Sequence, residues 1–136
     1  MTCKNMGMEK MIVDLRDNPG GLLDSVCDIL RKILPEGLIV YTEDKDGNRE
    51  EEKCDGKNEL RIPLAVLVNE SSASASEIFA GAVQDYGIGT IVGTTTYGKG
   101  VVQSIRQLSD GSAIKLTVAN YYTPKRKQHQ QNRNQT

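Results

Sequence analysis

Two apolar runs, "MIVDL" at Met11–Leu15 and "IPLAVLV" at Ile62–Val68, do most to limit what this chain can become. Each has the length and branching of a buried strand. Each is also followed by small and polar residues, and then by apolar positions at helical spacing. After the first run and the loop "RDNPGG" come Leu22, Leu23, Val26, Leu30, Ile33 and Leu34, stopped by Pro35 and Gly37. After the second come a serine-rich turn and then Ile78, Phe79, Ala82 and Val83 on one face. Strand, loop and helix in that order is the unit from which parallel sheets are built.

The later segments are strand-like. "LIVYTE" reads as a strand, and "DKDGNREEEKCDGK" as an exposed hairpin turned at Asp46-Gly47. "TIVG" reads as a further strand, and "VVQSIRQL" with "AIKLTVANYYT" as a second hairpin turned at Asp110-Gly111. The expected architecture is α/β: a mainly parallel sheet flanked by helices, with antiparallel hairpins added. At 136 residues and 38% hydrophobic content this is one compact domain, able to bury roughly two thirds of its unfolded surface. It is expected to run over residues 1–124. Residues 125–136, "KRKQHQQNRNQT", have no apolar periodicity and read as a disordered polar tail.

Several function classes are disfavoured. A net charge of −1 gives no field for wholesale binding of nucleic acid or acidic lipid. No run approaches the ~18 apolar residues of a membrane-spanning helix, and Met1 to Lys10 lacks the apolar core of a secretory signal. Cys3, Cys27 and Cys54 are odd in number and widely spaced, which suits neither a disulfide framework nor a zinc site. His129 is the sole histidine and lies in the tail. A Ser-His-Asp or Cys-His mechanism needs an imidazole in a packed site, so any chemistry here needs a different base.

Three stretches carry chemical potential. In "NESSASASEIFAGAVQD", Ser74-Ala75-Ser76-Glu77 spells a capping box ahead of a helix. The same place, the carboxyl end of a buried strand and the amino end of a helix, is where α/β sheets put ligands and where negative charge is favoured. "GTTTYGKGVVQ" sets Lys99 between two glycines that let the loop bend tightly and turn the lysine inward. Gly93, Gly98 and Lys99 also match the first part of a phosphate-cradling loop, although position 100 is glycine and a strand pattern follows. "DLRDNPGG" makes a tight turn whose glycines expose backbone N–H groups to an approaching carbonyl.

Taken together and in order, "VDLRDNPGGLLD", "VNESSASASEIFAGAVQD", "VGTTTYGKGVVQS" and "LSDGSAIKLTVANYYTP" closely resemble the core of the C-terminal processing peptidases, or tail-specific proteases, from about Met11 to Pro124. The resemblance implies a Clp protease/crotonase-like α/β fold and a serine endopeptidase acting near the C-terminal region of protein or peptide substrates. It implies Ser74 as nucleophile, Lys99 as base and Gln103 as the assisting residue. Its oxyanion-hole amides fall on Gly20 and Ala75, and it implies no cofactor or metal. Gln103, four residues beyond Lys99 in a strand pattern, is expected on the lysine's face. An amine takes up a proton only while uncharged, so Lys99 has to be shielded from water.

Members of this family usually carry a PDZ domain ahead of "DLRxNPGG", and nothing in these residues corresponds to it. The chain is therefore expected to be an excised catalytic core without its substrate-recruiting part, with a homo-oligomer left open. The resemblance suggests a cell-envelope or exported setting. A second reading, from another functional class, is a binding module of the same fold in which Ser74 is only a helix cap.

Overall fold

The computed structural model describes residues 3–125; the tail from residue 126 onward, His129 included, lies outside the described residues. After a 3-10 turn at Cys3–Met6, the elements are β1 (Met11–Asp14), α1 (Leu23–Leu30), β2 (Gly37–Asp44), β3 (Arg49–Cys54), β4 (Leu64–Val68), α2 (Ala75–Tyr86), β5 (Thr90–Gly93), β6 (Val101–Gln107) and β7 (Ala113–Tyr122). The strands form two sheets. One is parallel, in the order β1-β4-β5, and the other is antiparallel, in the order β3-β2-β7-β6. The hairpins thus amount to more than additions, since they join through β2 and β7 into a separate four-stranded sheet.

β4 lies at the centre of the parallel sheet, with Leu64, Val66 and Val68 buried. β1 departs from the expected buried strand. Among the described residues it is an edge, paired with β4 alone, and Ile12 is 71% exposed because no element covers that face. Helix α1 is shorter than its apolar pattern, yet Ile33 and Leu34 still face the core. The chain continues past Leu30 in tight turns, with Leu34 N–H donating to the Leu30 carbonyl at 2.8 Å. Pro35 disfavours helical geometry at the residue before it, which ends the helix early without moving its apolar face.

One core joins both sheets. Val26, Cys27 and Leu30 of α1, Ile39 and Val40 of β2, Val66 of β4, Ala82 and Val83 of α2 and Tyr121 of β7 all belong to it. Tyr86 ties α2 to β2 by donating its hydroxyl to the Leu38 carbonyl at 2.7 Å. Cys27 and Cys54 are buried free thiols. The carboxyl ends of β1 and β4 therefore emerge beside the amino end of α2, on a firmly packed base.

Candidate active site

At the carboxyl end of β4 the chain turns sharply into α2, and Ser74 is the N-cap of that helix. Its φ of 53° and ψ of −117° are costly for a residue with a side chain, by about 1–3 kcal/mol. Among the described residues only Asp17 shares a positive φ without being glycine. A strained strand-to-helix turn of this type lifts a serine hydroxyl clear of the sheet in α/β-hydrolases.

The serine cluster divides by burial and hydrogen bonding. Ser71 is exposed. Ser72 is fully buried and donates to the Leu15 carbonyl at 2.6 Å. Ser76 is 4% exposed and donates to the Asn18 carbonyl at 3.0 Å. Ser74 alone of the four lines the main cleft, a cavity of about 520 Å³ shared with Gly20, Ala75, Lys99 and Gln103. Every residue predicted for the site is thus brought to one cleft.

The loop after β1 is strapped to this turn. Asn69 Oδ1 accepts from the Asp17 N–H at 3.0 Å, and its amide nitrogen donates back to Asp17 Oδ1 at 2.9 Å. The Ala73 N–H donates to the Asn18 carbonyl at 3.1 Å. Gly20 then passes so close that a Cβ there would lie 2.5 Å from the Ala73 oxygen and 2.7 Å from the Ala75 nitrogen. Its φ of +95° also favours glycine. The Gly20 N–H donates to Asn18 Oδ1 at 2.9 Å, closing an Asx turn.

Lys99 is half-buried, and its amine donates to Gln103 Oε1 at 3.1 Å. The contact matches the expected shared face, but by another route. Lys99 precedes β6, and the register of β6 against β7 shifts between Val102 and Gln103, so strict alternation does not run from one residue to the other.

Glu77 and Tyr121 also meet at this site, although the sequence does not mark them as site residues. The Glu77 side chain, fully buried, accepts the N–H groups of Ser74 and Lys99 on Oε2, both at 3.0 Å. Its Oε1 accepts Thr96 Oγ1 at 2.8 Å and the Gly98 N–H at 2.6 Å. The Tyr121 hydroxyl donates to the Lys99 carbonyl and lies 3.3 Å from the Ser74 carbonyl. Burial, and then the charge of Glu77, push its pKa up, so it remains a donor. The capping-box spacing marks Glu77 as a partner of Ser74, but its bonds to residues 96–99 span a distance in sequence that no local pattern records.

This geometry removes the phosphate-loop reading. The Gly98 and Lys99 amides are already held by a carboxylate of the protein, and the segment leads into strand β6 instead of a helix. Among the described residues, no group of three or more His, Cys, Asp or Glu is placed to hold a metal ion.

Comparison with known proteins identifies the family. The model for peptidase family S41 matches residues 2–134. A carboxyl-terminal-processing protease of Synechocystis is 50% identical over 121 residues, 89% of this chain and 28% of that protein. The chloroplastic carboxyl-terminal-processing peptidase 2 of Arabidopsis thaliana is 45% identical over 125 residues, 90% of this chain and 24% of that protein. Among solved structures, the photosystem II D1 C-terminal processing protease superposes with a TM-score of 0.83 at 38% identity, over 94% of this chain and 33% of that one. A lipoprotein from Streptococcus agalactiae gives 0.73 at 22% identity, over 91% and 49% of the two chains, a likeness of fold alone. The chain thus spans about a quarter to a third of the processing proteases it matches, and with their α/β core of Clp protease type and a family match over nearly its whole length, it belongs to peptidase family S41.

Proposed function

We propose that this chain is the catalytic core of a serine endopeptidase that cuts protein or peptide substrates near their C-terminal region with a Ser74–Lys99 dyad. Lys99 takes the Ser74 proton as the serine oxygen attacks a peptide carbonyl. The resulting ammonium then gives that proton to the departing amine, leaving an acyl-enzyme that water hydrolyses by the same steps. Gln103 holds the amine in line. The N–H groups of Ala75 and Gly20 receive the oxyanion, each such donor contributing on the order of 10²–10³ in rate. Gly20 must exchange its bond to the neutral Asn18 oxygen for one to the oxyanion, a stronger acceptor.

The observation that carries this reading is the bond from the Lys99 amine to Gln103 inside the cleft lined by strained Ser74. A second, more apolar cavity of about 350 Å³ runs on from Gly20, Leu22 and Ala75 to Val26, Ile29 and Phe79. It suits an apolar substrate side chain beside the bond to be cut. Among the described residues no helix is long and apolar enough to cross a membrane; the setting that accompanies this reading is the cell envelope or another exported compartment, and assembly as a homo-oligomer is compatible with it. The test is Ser74→Ala in the intact protein. Loss of cleavage of an unstructured, apolar-tailed substrate with folding retained supports the enzyme; unchanged cleavage refutes Ser74 as the nucleophile, and absence of cleavage by the unsubstituted protein leaves a binding module whose serine is a cap.

A further inference from the structure

The backbone groups of Ser74 and Lys99 are gripped by the same two side chains. Glu77 Oε2 takes both N–H groups, so the two amide nitrogens are no more than twice 3.0 Å apart. The Tyr121 hydroxyl reaches both carbonyls. Glu77 and Tyr121 are 0% and 1% exposed, so water does not compete for these bonds. Thr96 and Gly98 fill the other carboxylate oxygen and fix the loop that enters Lys99. A carboxylate has about four acceptor sites, and this one spends them on the turn that holds Ser74 and the loop that holds Lys99.

From this we infer that Glu77 and Tyr121 are positioning residues, a buried clamp that sets the spacing between Ser74 and Lys99 through their backbone groups. The inference rests on the dyad proposed above. α2 and the segment before β6 belong to different parts of the fold, and a displacement near 1 Å at reacting groups can cost about 10²-fold in rate. Without the clamp both residues remain in the cleft, but the distance between them is no longer enforced.

The test uses the intact protein. Tyr121→Phe removes one hydroxyl and keeps the ring in the core, and Glu77→Gln puts an amide N–H₂ where N–H groups now donate. Each is expected to lower kcat by about tenfold or more with KM within about twofold. In a Lys99→Ala background each is expected to leave the residual rate unchanged, because the spacing no longer matters. If Glu77→Gln does not fold, Tyr121→Phe carries the test alone. Wild-type kcat in folded Tyr121→Phe, or an equal loss with and without Lys99, overturns the clamp. Should Ser74→Ala keep full activity, the dyad fails with it; should Ser74→Ala be inactive while Tyr121→Phe is unimpaired, only the clamp fails.

Discussion

The Gly20 N–H is bonded to Asn18 Oδ1 at 2.9 Å, so one of the two amides assigned to the oxyanion is self-capped in the resting protein. The anchoring of this loop does not depend on that bond, since the Asn18 carbonyl is held separately by Ala73 and Ser76. A structure of the intact protein with a boronate at Ser74 should show the Gly20 N–H turned from Asn18 to a boronate oxygen. An unchanged Asn18 bond in that complex would remove Gly20 from the oxyanion hole.

Gly20→Ala should damage stability and activity together. The new Cβ would meet backbone atoms at 2.5 and 2.7 Å, which cannot swing aside as a flexible side chain does. Adding the unfavourable φ, the expected loss is about 2 kcal/mol or more, read from denaturant midpoints, with cleavage abolished. A variant as stable and active as the parent would mean that the loop does not stand against Ala73 and Ala75.

The serines should separate by consequence. Ser74→Gly relieves a positive φ and is expected to raise stability by about 1 kcal/mol while eliminating turnover. Ser76→Ala loses a bond to the Asn18 carbonyl and should cost about 1 kcal/mol while retaining the nucleophile. Thermal melts with cleavage rates on the same samples check both, and a destabilised Ser74→Gly would contradict the strain assigned to this turn.

Alkaline pH should loosen the core at Cys27. Burial first, and the charge of Glu52 second, push this thiol from 9.0 up to about 11. The folded state holds the proton more tightly than the unfolded chain does, so this contribution is intact below the unfolded value and is lost as pH rises through about 11. Denaturant midpoints should fall over that window, less steeply in Cys27→Ala. Identical slopes for the two proteins would rule the thiol out as the cause.

Much of this was legible because it is local. Strand runs, helical spacing and the turns at Asp46-Gly47 and Asp110-Gly111 depend on neighbours in sequence, and the observed elements follow them closely. The exposure of Ile12 was not legible, because a strand's own residues do not reveal which of its faces another element covers. Ser74, Lys99, Gln103, Gly20 and Ala75 are singled out by the family resemblance, and all five line one cleft. Glu77 and Tyr121 escaped because the partners of Tyr121, and those of Glu77 beyond Ser74, lie about twenty or more residues away, and a buried acid and a buried tyrosine look locally like a cap and a core aromatic.

The most direct measurement is the rate and site of reaction of the intact protein with a fluorophosphonate, which modifies activated serines. Mass spectrometry should place the adduct on Ser74, and Lys99→Ala should slow its formation by at least about 10²-fold. Modification at another serine, or of Ser74 at an undiminished rate without Lys99, would contradict the dyad.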